Sequence, residues 1–224
     1  MQLLLEYFNA TCRDRGAELL WCLHENLNCN QIDKVHVFMN PSTSFSFDSP
    51  KLEIVNSESR VTYQKLFDYC NKQLKGKVCI IANGDIIFNE SLDQIRMIDL
   101  DSSFVALSRW EINLENGIET YSLFDNPHSQ DCWIFKSPVV PSESMDFHLG
   151  IPGCDNRIAR IMHNHGLEVI NPSQTIQTIH FHSSKIRNYV VGRDLIQGPY
   201  LSVWPTKLEK EFTSEHQLGT ARDS

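Results

Sequence analysis

The sequence predicts an α/β fold in which helices cover both faces of a mostly parallel β-sheet. Strand-like and helix-like apolar patterns alternate along most of the 224 residues, which is the order expected of such folds. A run in the middle of the chain, residues 78–82, is apolar throughout, as is typical of a central strand buried on both faces. No internal repeat, low-complexity tract or linker interrupts the alternation. Because ligands of these folds bind beyond the carboxyl ends of the strands, polar residues at those ends are the first candidates for a functional site.

The first half of the chain contains four predicted strands and two predicted helices. Apolar or alternating runs at residues 2–8, 34–39, 51–55 and 78–82 predict the strands. Leucines on helical spacing predict a helix over 13–27. A second helix is predicted over 61–74 and closed by Gly76, because apolar residues recur there at a spacing that only a helix places on one face, namely Tyr63, Leu66, Phe67, Cys70 and Leu74.

The second half alternates in the same way but with longer irregular stretches. Helices are predicted over 91–98 and 155–165, and strands over 104–107, 132–135 and 167–170. The stretches 111–128 and 136–152 are expected to be irregular. We expect one domain over residues 1–212, a normal size for a single core, followed by a polar, flexible tail over 213–224.

Charge and composition argue against two classes of function. With 20 Lys and Arg against 28 Asp and Glu, the net charge is −8, and a chain repelled by phosphate backbones is a poor non-specific binder of nucleic acid. No apolar run approaches the ~20 residues needed to cross a bilayer, so we expect no transmembrane segment. The seven cysteines are scattered without a CxxC pair, and the N-terminus lacks the features of a signal peptide. We therefore expect reduced core cysteines and a cytoplasmic protein.

Several common nucleotide and hydrolase motifs are absent. The segment after the first predicted strand contains neither GxGxxG nor GxxxxGK[ST], which disfavours the usual dinucleotide-binding folds and P-loop enzymes. GxSxG is absent as well, which removes the simplest hydrolase hypothesis.

The segment Asn83-Gly84-Asp85 directly follows the central apolar strand. It places one carboxylate at the carboxyl edge of the predicted sheet, with a glycine that allows a ligand close to the backbone. A hard divalent cation that neutralises a nucleotide diphosphate would use such an oxygen ligand. Asp85 could equally serve only to cap the turn after the strand, and the spacing alone leaves both interpretations open.

Two histidines lie late in the chain in the segment Ile179-His180-Phe181-His182. In a strand their imidazoles would point to the same side, where they could share a metal ion or a diphosphate. Two histidines on one polar face also occur by chance.

Two further acidic residues are candidates for proton transfer or for ligand binding. Asp155 lies at a predicted helix N-terminus, where it could be an ionised general base or simply an N-cap. Ser129-Gln130-Asp131 precedes an apolar strand and could bind sugar hydroxyls, or could be a polar turn. Trp110 could stack on a sugar or base. An arginine near these segments could bind a diphosphate, or each could have a solvated or salt-bridged surface role; the arginines are Arg60, Arg109, Arg157 and Arg187.

The assembled order of these motifs resembles that of nucleotide-sugar glycosyltransferases of the GT-A fold, in particular the small single-domain enzymes of large algal viruses, bacteria and plants. The motifs are Asn83-Gly84-Asp85, Ser-Arg-Trp110, Ser-Gln-Asp131-Cys-Trp, Gly-Cys-Asp155-Asn-Arg and His180-Phe-His182, and the resemblance covers most of residues 1–190. It implies that Asp85 binds the metal and the donor diphosphate, that Asp155 is the catalytic base, that His182 or His180 completes the metal site, and that residues 56–60 meet the nucleobase. The first acidic position of the family motif is Asn83 here.

Together these observations predict a glycosyltransferase that moves a sugar from a nucleotide-diphosphate sugar, preferably a UDP-sugar, to a hydroxyl of a glycan or glycoconjugate. We expect a divalent cation, Mn²⁺ or Mg²⁺, on Asp85, His180 and His182, and catalytic roles for Asp155 and Asp131. The expected nucleotide-sugar contacts are Arg60, Asn83, Gly84, Asp85, Arg109, Trp110, Gln130 and Arg187. The alternatives are a non-catalytic sugar-binding module on the same fold and a sugar nucleotidyltransferase.

Overall fold

A seven-stranded sheet lies at the centre of the protein, whose computed structural model describes residues 1–10, 12–43, 47–115, 118–182 and 194–208. Within these residues the α-helices are α1 (Arg13–Asn28), α2 (Tyr63–Gln73) and α3 (Cys154–Asn164), and a 3-10 helix covers Glu90–Met97. The strands in chain order are β1 (Gln2–Glu6), β2 (Lys34–Met39), β3 (Leu52–Asn56), β4 (Val78–Ala82), β5 (Ile86–Phe88), β6 (Ser103–Leu107), β7 (Trp110–Glu115), β8 (Ile118–Leu123), β9 (Cys132–Lys136), β10 (Glu168–Ile170) and β11 (Thr178–His180).

The central sheet has the strand order β10-β6-β9-β4-β1-β2-β3. Every neighbouring pair is parallel except the two that involve β9, which runs antiparallel to β4 and β6. The prediction of a mostly parallel sheet is therefore confirmed. The carboxyl ends of β1 and β4 and the start of the reversed strand β9 meet at one edge.

Helices pack on both faces of this sheet, as predicted. Leu3 and Leu5 of β1 point to the face covered by α1, where Leu19 and Leu23 are buried. Leu4, between them, points to the opposite face, which α2 and α3 cover. Alternate side chains of a strand face opposite sides, so a strand buried between two helical layers must be apolar at every position.

The apolar stripe of α2 is confirmed. Tyr63, Leu66, Phe67 and Cys70 are all at most 1% exposed, and the Phe67 and Phe135 rings stack with centroids 4.4 Å apart. The helix begins after Thr62, whose hydroxyl accepts a hydrogen bond from the Lys65 backbone N–H. A threonine in this position satisfies one of the free amides of the first turn.

A second, four-stranded sheet with the order β5-β11-β7-β8 lies beside the central one. It corrects the prediction that residues 111–128 are irregular, since β7 and β8 form an antiparallel hairpin there. Strand β11 runs parallel to β7 and antiparallel to β5, which sets His180 opposite Glu111 on one side and Ile86 on the other. The small sheet thus brings His180 to the strand that directly follows Asp85.

The cysteines behave as the sequence predicts. All seven are free, and Cys22, Cys70 and Cys79 are buried core residues. Among the helices that the structure describes, none combines the length and apolarity needed to cross a membrane. The tail over 213–224, and with it the end of the predicted domain, lies outside the described residues and stays a prediction.

Candidate active site

A cleft of about 270 Å³ opens at the carboxyl edge of the central sheet. The ends of β1 and β4, the start of β9 and the turn before α3 supply most of its walls. Its polar lining consists of Glu6, Arg15, Arg60, Asn83, Asp85, Arg109, Ser129, Asp131, Asp155, His180 and His182. The cleft is where an α/β sheet is expected to bind its ligand.

Asp85 lies at the floor of the cleft and is 6% exposed. Its Oδ2 accepts a 2.5 Å hydrogen bond from Arg15 Nη2. The same oxygen lies 3.4 Å from His180 Nε2 and 3.5 Å from His182 Nδ1. Burial opposes the charge of the carboxylate, but the two imidazoles and the Arg15 guanidinium hold the pKa of Asp85 well below its usual range. Asp85 is therefore an anion within a cluster of donors, and the interpretation of a simple turn cap does not account for these contacts.

Glu111 of β7 fixes the orientation of the His180 ring. Its Oε2 lies 2.9 Å from His180 Nδ1, while its Oε1 accepts a 2.6 Å bond from Arg109 Nε. Burial lowers the pKa of His180, but the bonds to Asp85 and Glu111 outweigh it and raise the pKa to about 9. A carboxylate on the second ring nitrogen is the usual partner of a metal-binding histidine.

The Asp85–His180–His182 group has the composition of a metal site. One ligand atom from each residue lies within 4.8 Å of the others, and His182 Nε2 is buried with no hydrogen-bond partner among the described residues. The chemistry of two imidazole nitrogens and one carboxylate oxygen fits a transition-metal dication such as Mn²⁺ better than Mg²⁺, which prefers oxygen ligands.

Asp155 also lines the cleft and lies at the second position of α3. The N-cap of this helix is Gly153 and makes no side-chain capping bond, so the N-cap interpretation of Asp155 is wrong. Burial, together with the negative charge of Asp131, raises the pKa of Asp155 to about 7. A carboxyl with this pKa that reaches the cleft can exchange a proton near neutral pH.

Both oxygens of Asp131 accept hydrogen bonds of 3.0 Å or less from side-chain nitrogens. Oδ1 accepts a 2.8 Å bond from the Asn83 side-chain amide, and Oδ2 accepts a 3.0 Å bond from Arg109 Nη1. The same Arg109 nitrogen bonds Ser129 Oγ at 3.0 Å. This network of hydrogen bonds holds the Arg109 side chain in the wall of the cleft.

A second hollow of about 280 Å³ continues from the cleft between the ends of β1, β2 and β3. It shares Glu6, Phe8 and Arg60 with the cleft. The Arg60 guanidinium donates a 2.5 Å bond to the Leu149 carbonyl and lies 3.8 Å from the Glu6 carboxylate, so it is held at the boundary of the two spaces.

The structure brings most of the predicted site residues into one cleft. The residues that line it are Arg60, Asn83, Gly84, Asp85, Arg109, Asp131, Asp155, His180 and His182. Two others lie outside the lining. Gln130 is fully buried and approaches Asp155 only through its backbone N–H, and Trp110 turns its indole N–H to the Ser173 carbonyl. Arg187 lies outside the described residues.

Sequence reasoning missed Arg15 and Glu111. Arg15 lies in the first turn of the helix that follows β1, and a basic residue after the first strand was the available signal. Glu111 is two residues after Arg109 in an extended segment, which places both side chains on one face. Neither Arg15 nor Glu111 belongs to a recognisable sequence motif.

Comparison with solved structures shows that the fold is GT-A-like. The chain is similar to S. aureus TarS 1-349 in complex with UDP-GlcNAc, with 11% identity over 84% of this chain and a TM-score of 0.59, and it spans 61% of that chain. HddC from Yersinia pseudotuberculosis shares 11% identity over 66% of this chain and 83% of its own, with a TM-score of 0.42. A Bacillus anthracis protein described as a glucose-1-phosphate thymidylyltransferase, in complex with a sucrose, shares 9% identity over 76% of this chain and 85% of its own, also with a TM-score of 0.42.

No protein-family model matches the sequence, and no curated protein matches it either. The predicted GT-A-like fold is thus confirmed by structure. The narrower resemblance to small glycosyltransferases of algal viruses, bacteria and plants stays a prediction.

Proposed function

We propose that this protein is a glycosyltransferase that moves a sugar from a nucleotide-diphosphate sugar, preferably a UDP-sugar, to a hydroxyl of a glycan or glycoconjugate. One observation carries the proposal. The Asp85–His180–His182 group and Asp155 line a single cleft at the carboxyl edge of a GT-A-like sheet. A nucleotide sugar in that cleft would contact both.

The two connected hollows suit the two ends of such a donor. The nucleobase would occupy the hollow between β1, β2 and β3, which is lined by Tyr7, Phe8, Phe38 and Met39 together with polar side chains. The diphosphate would lie past Arg60, in the cleft above Asp85. Four carboxylates line this cleft beside three guanidiniums and the His180 imidazole, whose pKa is raised to about 9. These charges nearly balance, so a bound cation would offset the added charge of a diphosphate.

Asp85, His180 and His182 would hold that cation, and we propose Mn²⁺ rather than Mg²⁺ because of the two nitrogen ligands. When bound, the cation neutralises charge on the departing diphosphate. Glu111 keeps the His180 ring in place through its 2.9 Å contact with Nδ1.

Asp155 would act as the general base. Its carboxylate takes the proton of the acceptor hydroxyl as the acceptor oxygen bonds to the sugar C1. The bond between C1 and the phosphate oxygen breaks, and the nucleoside diphosphate leaves with the electron pair. Direct attack of this kind inverts the configuration at C1. Asp131, with both oxygens already engaged, would raise the pKa of Asp155 rather than take the proton itself.

The test combines nucleotide binding with identification of the product. We expect Mn²⁺-dependent binding of UDP by calorimetry, a loss of at least tenfold in affinity in Asp85→Asn, and wild-type affinity in Asp68→Asn, which changes an exposed aspartate on α2. Asp155→Asn should keep UDP affinity and lose transfer. UDP affinity that is unchanged in Asp85→Asn would refute the assignment of the cleft.

The products separate the alternatives. Release of UDP from a UDP-sugar supports glycosyl transfer, whereas release of pyrophosphate from a nucleoside triphosphate and a sugar phosphate would identify a nucleotidyltransferase. Glycan binding with no effect of any nucleotide on the melting temperature would identify a sugar-binding module.

A further inference from the structure

The two oxygens of the Asp155 carboxyl have different surroundings. Oδ1 accepts a short hydrogen bond of 2.9 Å from the Cys154 thiol. Oδ2 accepts only a long one, 3.4 Å, from the Gln130 backbone N–H. One oxygen is therefore held firmly from within the protein, and the other is the freer of the two.

The contact between Cys154 and Asp155 requires an unusual local geometry, because adjacent residues in a helix do not normally face each other. It occurs at the first turn of α3, where Gly153 has a φ of +84° and the Cys154 N–H donates to the Ile151 carbonyl at 3.0 Å. This turn places the thiol under the carboxylate instead of on the next face of the helix.

The thiol hydrogen has no better acceptor than the carboxylate. Cys154 is fully buried, and its sulfur lies 3.8 Å from the hydroxyl of Tyr63, which is also fully buried. Since that hydroxyl donates to the sulfur, the thiol remains free to donate to Oδ1. Burial beside an anion raises the pKa of the thiol, so it remains protonated.

We propose that Cys154 is a positioning residue for Asp155, whose thiol holds Oδ1 and leaves Oδ2 as the oxygen that takes the acceptor proton. The task of Oδ2 rests on the proposed function, whereas the hydrogen bond to Oδ1 does not. The other charged groups that face Asp155 are Asp131, which raises its pKa, and Arg109, which lowers it; neither would change in a Cys154 variant.

The test measures the pKa of Asp155 directly by a ¹³C NMR titration of carboxyl-labelled aspartate, with the signal assigned through Asp155→Asn. Cys154→Ala removes the donor and should move the pKa upward by about one unit, the usual effect of a hydrogen bond to a charged group. Cys154→Ser restores a donor and should return the pKa to the wild-type value or below. Cys132→Ala, which removes another fully buried thiol beside Asp131, is the matched control and should leave the Asp155 pKa unchanged.

A Cys154→Ala pKa equal to or below that of the wild type would overturn the proposal, as would a failure of Cys154→Ser to restore it. If Cys154→Ala does not fold, Cys154→Val fills the buried space with an apolar side chain that lacks the donor and must show the same upward shift. The acidic limb of the pH profile for UDP-GlcNAc hydrolysis should move with the NMR pKa. A chain that shows the NMR shifts but no UDP binding would retain the hydrogen bond and refute the proposed function instead.

Discussion

Replacing Asp155 by asparagine tests the burial of this carboxyl through the stability of the fold. Its pKa is raised from 3.8 to about 7, a difference of about 3 units or roughly 4 kcal/mol. Because the folded pKa lies above the unfolded one, this contribution to stability is fully present below the unfolded pKa and is lost as the pH rises through the folded pKa. Asp155 is partly exposed to the cleft, so solvent screening reduces the effect, and we expect about 2 kcal/mol.

The assay is urea denaturation of the wild type and Asp155→Asn at pH 5 and pH 8. The asparagine variant cannot ionise at this position. Because only about two of the three pKa units lie above pH 5, it should therefore gain about 1.2 kcal/mol in free energy of unfolding, relative to the wild type, between the two pH values. Asp68→Asn on the exposed face of α2 should show a difference from the wild type that is the same at both. A difference between Asp155→Asn and the wild type that stays constant within about 0.5 kcal/mol would refute the burial of the carboxyl.

Two further predictions concern the metal group and the start of α3. Glu111→Gln removes the charged partner of His180 and should weaken Mn²⁺ affinity by about tenfold or more, measured by titration of free Mn²⁺. Glu119→Gln, which changes an exposed residue of β8, should keep the wild-type affinity. Equal Mn²⁺ affinities of Glu111→Gln and the wild type would argue against a metal at His180. Gly153 has a φ of +84°, and a Cβ added there would lie 2.8 Å from the Ile196 carbonyl oxygen, so Gly153→Ala should lower the free energy of unfolding by about 2 kcal/mol or more. Gly166 has a φ of +100°, but a Cβ added there would contact nothing within 4 Å. Gly166→Ala should therefore lower it by only about 1 kcal/mol. Equal losses of unfolding free energy in the two glycine variants would show that the contact with the Ile196 carbonyl oxygen does not destabilise Gly153→Ala.

The central sheet could be predicted from the sequence because its strands are buried on both faces. A run such as Val78–Ala82 has to be apolar at every position when α1 covers one face and α2 and α3 the other. The hairpin of β7 and β8 escaped prediction because one of its faces carries Glu111, which contacts His180 and Arg109 and breaks the simple pattern of an apolar strand. Asn116-Gly117 between the two strands is a pair favoured in short hairpin turns and was the missed signal.

The sequence could predict a site residue only where its position in the chain also determines its position in the fold. Asp85 follows a central strand, so its location at the sheet edge followed from the strand itself. Arg15 and Asp85 are 70 residues apart and Glu111 and His180 are 69 apart. Such pairs depend on how α1 and the small sheet pack, and no local pattern encodes that.

The charges around position 83 explain why an asparagine fits there better than an aspartate. The Asn83 side-chain amide donates to Asp131 Oδ1 at 2.8 Å, in a place where a carboxylate would be in direct contact with the Asp131 anion, which is already paired with Arg109. Asn83 therefore accommodates the Asp131 carboxylate, whose charge raises the pKa of the proposed base Asp155. If a cation binds at Asp85 as proposed, the imidazoles of His180 and His182 would be its other two protein ligands, and two nitrogen ligands favour a cation that tolerates nitrogen.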